Sequence, residues 1–322
     1  MNQKSFLKKS LWDLWCLATL VGIWPRYVEP KLLSKTILNL PIPKLPHQLD
    51  GLSIVQFSDL HFSSEMSDRR LNKIVNTVDA LKPDIIVFTG DFINYSKLED
   101  AQRLKRFFCS FDPPLGCFAI VGNHDYASPV SINAAGEYDV IPSEEDDSVI
   151  RGIVRLLKPP HVAKSTTHQA RSTPVHEGLK KLLEETPFKL LHNESCVIPV
   201  KDSCMNICGL GEYMIGQANP EKAFAHYDER YPGIILAHNP DTVPLLKNYP
   251  GELILSGHTH GCQINLPWVR SRITLLENPE YARGLYTVDQ RWLYINRGVG
   301  SSLDFRWFAK PEITKFHLSS AP

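Results

Sequence analysis

The chain has 322 residues, 43% of them apolar, with 35 lysines and arginines against 35 aspartates and glutamates. That is apolar mass for one large domain or two small ones, and a formal net charge of 0 removes any global electrostatic case for nucleic-acid binding. Seven cysteines, an odd number without metal or disulfide spacing, fit a reducing compartment and argue against a disulfide scaffold.

The charge is unevenly spread. Residues 1–36 carry Lys4, Lys8, Lys9, Arg26, Lys31 and Lys35 against only Asp13 and Glu29. Within this basic stretch, residues 11–24 form an apolar run holding Trp12, Trp15 and Trp24, with Asp13 as its single acid and Pro25 as the expected stop. At helical spacing the apolar side chains go all the way round, and the run is shorter than the about 20 residues a membrane span needs. Tryptophans flanked by lysines suit the headgroup region of a bilayer. A helix packed on the body and an export signal are the other readings, although no small-x-small cleavage site follows. Residues 1–26 are thus expected to touch the membrane, and residues 27–50, proline-rich, to be a linker or edge hairpin. Residues 51–318 then form the main domain, interrupted by an insertion at 127–176.

Leu52–Phe57 reads as the first core strand and ends in Ser58-Asp59-Leu60-His61. Ser67 caps a helix whose Leu71, Ile74, Val75, Val78 and Leu81 recur at three and four. The strand Ile85–Phe88 ends in Thr89-Gly90-Asp91, and after a charged helix near 97–108 the strand Cys117–Val121 ends in Gly122-Asn123-His124-Asp125. Three strand–loop–helix units, each delivering polar residues at a carboxyl end, point to an α/β layered domain.

The insertion shows no obvious strand. Ser143–Asp146 looks like a helix start, with Val149, Ile150, Ile153, Val154, Leu156 and Leu157 on one face and Arg151, Arg155 and Lys158 on the other. With Lys164 and Arg171 beyond it, the segment is either a packed excursion with a solvated basic face or a lid for a greasy, anionic substrate. Arg151, Arg155 and Arg171 are the candidate substrate contacts.

Further on, a helix is expected at Leu179–Glu185 and strands of a second sheet at Cys196–Val200 and Asn206–Leu210, with Cys204 and Cys208 as small strand residues. Ile234–Ala237 leads to His238, and Leu253–Leu255 leads to Ser256-Gly257-His258-Thr259-His260-Gly261. Gly284–Asn296 alternates as a hairpin turning at Asp289-Gln290.

The strand tips together supply Asp59, His61, Asp91, Asn123, His124, His238, His258 and His260. These oxygen and imidazole donors suit Mn²⁺, Fe or Zn²⁺. They are too many for one zinc and suit two ions about 3.5–4 Å apart, which activate a water and neutralise a phosphoryl group. A nearby imidazole can protonate the leaving oxygen, so the donor set points to phosphoester or pyrophosphate hydrolysis.

Asp59-x-His61, Gly90-Asp91, Gly122-Asn123-His124, His238 and Gly257-His258-x-His260 resemble the five blocks of the calcineurin-like metallophosphoesterases, across roughly residues 50–305. The resemblance implies a two-sheet β-sandwich flanked by helices. It also implies one divalent ion on Asp59, His61, Asp91 and His260, and a second on Asp91, Asn123, His238 and His258. Asp91 would bridge the two, and His124 would be the catalytic acid and phosphate contact. Ala237–Asp241 and Asn296–Gly300 resemble the bacterial membrane-associated branch, which implies Mn²⁺ as the leading metal, with Zn²⁺, Fe or Mg²⁺ as others. The implied substrate is a nucleotide-linked glycolipid of lipid A biosynthesis, UDP-2,3-diacylglucosamine, cut to UMP and 2,3-diacylglucosamine 1-phosphate. The implied place is the cytoplasmic side of the inner membrane. A broader phosphodiesterase acting on phospholipid headgroups and an inactive binding scaffold are the alternatives. Two positions depart from the family pattern: Asn94 stands near the Gly-Asp block where many relatives carry a further acid, and Cys262 where a third glycine is common.

Overall fold

The computed structural model describes residues 3–141, 161–266, 269, 275–302 and 305–321. In chain order its strands are β1 (Ser34–Ile42), β2 (Ser53–Phe57), β3 (Ile85–Thr89), β4 (Cys117–Ile120), β5 (Val130–Ile132), β6 (Tyr138–Val140), β7 (Phe188–Leu190) and β8 (Glu194–Val200). They continue with β9 (Ser203–Gly209), β10 (Gly233–Leu236), β11 (Leu253–Ser256), β12 (Gly284–Val288), β13 (Arg291–Ile295) and β14 (Glu312–Ser320). The α-helices used below are α1 (Gln3–Ala18), α2 (Asp68–Ala80), α3 (Ala101–Phe108), α4 (His168–Arg171) and α5 (Glu177–Glu184).

Two six-stranded sheets face each other, ordered β1-β14-β2-β3-β4-β7 and β12-β13-β11-β10-β9-β8. Their central strands are parallel and buried on both faces, which is why they read in sequence as unbroken apolar runs. The period of two still sorts the side chains. Ile54, Ile85, Val87, Phe118 and Ile120 of the first sheet meet Met205, Ile207, Ile234, Leu236, Leu253 and Leu255 of the second. Val55, Phe57, Ile86, Phe88 and Ala119 point the other way, onto Leu71, Ile74 and Val78 of α2, Leu104 and Phe108 of α3, and Leu179 and Leu182 of α5. Burying one such side chain stabilises the fold by roughly 1.5–3 kcal/mol. Gln56 Nε2 crosses between the sheets to donate to Ser256 O at 2.9 Å, which ties the two strand ends that carry Asp59 and His258.

Local chemistry sets the helix and turn boundaries. Ser67 Oγ accepts the Arg70 N–H at the start of α2, and Asp100 Oδ1 accepts the Arg103 N–H at the start of α3. The β12–β13 hairpin turns on Asp289 and Gln290, both with positive φ, as a tight two-residue turn requires. Cys204 and Cys208 lie in β9, and the seven cysteines are free thiols.

Three expectations need correction. Residues 27–50 are neither a mere linker nor a hairpin: β1 lies within them and pairs in parallel with β14, from Ser34 opposite Glu312 to Ile42 opposite Ser320. An edge strand tolerates Pro41, whose missing N–H no ladder bond needs. Pro25 does not stop the N-terminal helix. After α1, helical turns continue over Thr19–Val28 with wider spacing, in which the Glu29 N–H reaches back five residues to Trp24 O. The insertion does hold strands, the antiparallel pair β5 and β6. The helix expected from Ser143, with Arg151 and Arg155, lies outside the described residues.

The N-terminal helix exposes its apolar side chains instead of packing them. Trp12 is 63% and Trp15 57% exposed, and their rings stack on each other. Among the described residues no helix is long and apolar enough to cross a membrane.

Candidate metal centre

The parallel strands of both sheets end on one side of the sandwich, and the polar residues follow them there. β2 leads to Asp59 and His61, β3 to Asp91, β4 to Asn123 and His124, β10 to His238, and β11 to His258 and His260. Asp59, His61, Asp91 and His260 bring one ligand atom each to within 4.8 Å of one another; so do Asp91, His238 and His258. Asp91 belongs to both groups. Its Oδ2 stands 3.4 Å from His61 Nε2 and 3.2 Å from His238 Nε2, while Oδ1 accepts the His124 N–H at 3.0 Å. Asn123 Oδ1 lies 3.0 Å from His258 Nδ1, and its amide is turned that way because Nδ2 donates to Val130 O.

Aiming these side chains distorts the main chain. Asp59, His61, Asp91, His258 and His260 all have positive φ, between 44° and 68°. For residues with a Cβ this region costs roughly 1–2 kcal/mol each, a strain that packed surroundings must hold in place. Glycines give the room: a Cβ on Gly122 would run into Asp91 Oδ1, and one on Gly298, at φ 71°, would lie 2.6 Å from Asp59 Cβ.

The donors fit divalent cations. His61 Nε2 and His260 Nε2 face each other at 3.1 Å beside two carboxylates, and the buried His238 Nε2 has no hydrogen-bond partner. Burial holds the His61 and His258 imidazoles down at about 3, so both keep a lone pair at neutral pH. Burial opposes charge on His238, but the Asp91 carboxylate draws that imidazole above its ordinary value; a cation at Nε2 would take the proton's place. Burial likewise opposes charge on Asp91, yet His238, His124 and His61 hold it well below the usual carboxylate range. Burial raises Asp59 to about 7. His238 Nδ1 donates to Thr89 O at 2.6 Å, which fixes the ring and presents Nε2 inward.

His124 stands at the edge of the cluster, its ring 4.6 Å from that of His61. Nδ1 accepts the Tyr95 N–H at 3.1 Å, so the neutral ring carries its proton on Nε2. Arg171 is apart from this cluster: it ends α4, is exposed, and packs its stem against Gly216.

Sequence reasoning missed two supports. Asp125 is buried and accepts four main-chain N–H groups, from Asp91 and Gly122 on Oδ2 and from Phe92 and Ile93 on Oδ1. It pins the Asp91 loop to the Asn123 loop, and its place right after Asn123-His124 was the available signal. Arg306 is fully buried, donates to Arg297 O, Ala309 O and Gly300 O, and lies 3.4 Å from His260 Nδ1. Burial lowers it to about 9. Nothing in Phe305-Arg306-Trp307 marks it in advance.

Comparison with known proteins agrees with this geometry. Residues 52–262 match the family described as calcineurin-like phosphoesterase. UDP-2,3-diacylglucosamine pyrophosphatase LpxG of Chlamydia muridarum is 43% identical over 304 residues, 91% of this chain and 92% of that protein. The LpxG of Chlamydia trachomatis is 40% identical over 94% of each chain. The Bacillus subtilis metallophosphoesterase YkuE is 31% identical over 99% of this chain and 98% of its own. Strand tips, shared carboxylate and near full-length similarity lead to one assignment: the chain belongs to the calcineurin-like phosphoesterase family.

Proposed function

We propose that this chain is a metal-dependent phosphohydrolase that splits the diphosphate of UDP-2,3-diacylglucosamine into UMP and 2,3-diacylglucosamine 1-phosphate. The observation that carries the reading is the shared carboxylate, with Asp91 Oδ2 between His61 Nε2 and His238 Nε2. The pyrophosphatase activity named for relatives 40–43% identical to the chain supports the substrate.

In this reading Asp59, His61, Asp91 and His260 would hold one ion, and Asp91, Asn123, His238 and His258 the other; the donor set suits Mn²⁺, Fe or Zn²⁺, and the family resemblance makes Mn²⁺ the leading choice. When bound, the ion pair supplies a hydroxide-like water near neutral pH and offsets charge building on the phosphoryl oxygens. Asp91 aligns the two ligand groups, and Asp125 keeps its loop in register. His124 contributes the proton: with Nδ1 occupied by the Tyr95 N–H, Nε2–H donates to the departing oxygen. The N-terminal segment, with Trp12, Trp15 and Tyr27 exposed, rests on the inner-membrane surface and keeps the domain on the cytoplasmic side, where a UDP-sugar is found.

The test is purified protein with UDP-2,3-diacylglucosamine, stripped with EDTA and then given Mn²⁺, Mg²⁺ or Zn²⁺. UMP release that returns with Mn²⁺ is expected. Release that survives EDTA and exhaustive dialysis, or cleavage of phospholipid headgroups in preference to the UDP-lipid, would count against it.

A further inference from the structure

The root of the N-terminal segment is bonded to a loop that supports the metal centre. Glu29 follows the helical turns of Thr19–Val28 and is buried. Its Oε1 accepts the Ala309 N–H at 2.6 Å, and its Oε2 accepts Trp24 Nε1–H at 2.9 Å. Beside it, Pro25 O accepts the Arg306 N–H at 2.7 Å. Residues 24–29 therefore fix both ends of the stretch Arg306–Ala309.

That stretch turns the Arg306 guanidinium toward the ligands. Nη1 donates to Arg297 O at 2.7 Å and Ala309 O at 2.9 Å, and Nη2 to Gly300 O and, at 3.4 Å, to Gly298 O. On their other side, residues 299 and 300 hold the Asp59 strand tip: the Gly300 N–H donates to Asp59 O at 2.7 Å and the Val299 N–H to Ser58 O at 2.9 Å. The same guanidinium stands 3.5 Å from His260 O and 3.4 Å from His260 Nδ1. Asp59 and His260 both belong to the first ligand group, and neither belongs to the group of Asp91, His238 and His258. Burial, with Arg70 and Arg297 nearby, opposes charge on Arg306, while the Asp59 and Glu29 carboxylates favour it. A buried cation needs both opposite charge and filled hydrogen bonds. Glu29 contributes the charge and, by holding Ala309, keeps one of the carbonyl acceptors in place.

We propose that Glu29 is a positioning residue for the ion held by Asp59, His61, Asp91 and His260. From the N-terminal segment it holds Ala309 and the Arg306 guanidinium, and through them Asp59 and His260. The inference rests on the two-ion reading of the site. It ties the segment read as membrane-facing to one ion and leaves the other independent of it.

The test is calorimetric titration of metal-stripped, full-length protein with Mn²⁺ in two backgrounds. His258→Ala leaves the ion of Asp59 and His260; His260→Ala leaves the other. Glu29→Gln keeps the size, removes the charge and turns an NH₂ toward one of the two N–H donors. In the His258→Ala background it should weaken Mn²⁺ binding about tenfold, the low end for a residue that supports a ligand. In the His260→Ala background it should leave the affinity as it was. A role in stability alone would lower the urea midpoint and spare both affinities. Trp24→Phe removes only the indole N–H that holds Glu29, should weaken the first ion about threefold, and covers the case in which Glu29→Gln fails to fold. Affinity unchanged in both backgrounds, or weakened equally in both, overturns the proposal alone. A wild type that takes up fewer than two Mn²⁺ ions overturns the two-ion reading and the proposal with it, so the two failures can be told apart.

Discussion

Asp125 accepts the main-chain N–H of Asp91 at 2.8 Å and that of Gly122 at 2.9 Å on the same carboxylate oxygen. One side chain thus sets the separation of two strand tips that both feed the metal centre. Asp125→Asn keeps the shape but turns an NH₂ toward some of those donors. We expect it to cost about 1–3 kcal/mol in stability and to weaken metal retention about 10–100-fold. Urea titration and metal analysis after dialysis measure the two effects; a variant that retains wild-type metal would remove Asp125 from its supporting role.

Asp91→Ala takes away the carboxylate common to both ligand groups. Loss of both ions and of turnover is expected, read as metal content per chain and UMP release. An Asp91→Ala protein that still holds two ions would contradict the bridging assignment.

His124→Ala should behave differently, because the ring is in neither ligand group and has its Nδ1 held by the Tyr95 N–H, which leaves the neutral ring's proton on Nε2. The expected result is a loss of about 10²-fold or more in kcat with metal content preserved. Unchanged kcat would show that another group protonates the leaving oxygen.

The buried imidazoles predict acid lability. In the unfolded chain His61 and His258 take up protons near 6.5, whereas burial delays this in the fold until about 3. Between those values the unfolded state binds more protons, so stability is present above pH 6.5 and falls as pH drops toward 3. The Tm of metal-stripped protein should decline from pH 7 to pH 5, and His61→Asn should flatten that slope. A slope unaltered by the substitution would mean that other groups control the acid transition.

Removing residues 1–18, and with them α1, should release the protein from membranes while hydrolysis of a soluble phosphodiester continues. Flotation with vesicles and an activity assay on the same preparation check this. Truncated protein that floats as before would place the contact elsewhere.

The sequence made the site legible because both faces of β2, β3, β4, β10 and β11 are buried, so apolar runs ending in polar residues mark the strand tips directly. The signal failed where partners lie far apart in the chain. β1 is a half-exposed edge strand, with Ile37 58% exposed, and among the described residues it pairs only with β14, more than 270 positions further along the sequence. Local pattern cannot see such a partner. Asp125 looked like one more turn acid, since its importance lies in N–H groups more than 30 residues away. The left-handed backbone at Asp59, Asp91 and His260 is only faintly signalled by residue type, since aspartate and histidine are enriched in that region yet mostly adopt others.

In the first sheet the last strand of the chain, β14, sits between the first two, β1 and β2. The β1 edge of that sheet therefore cannot be joined to β2 until residues 312–320 have been synthesised. The tryptophan-bearing N-terminus emerges long before then. A chain cut short before residue 312 would leave β1 without its partner and one side of β2 bare, two exposed edges that invite aggregation.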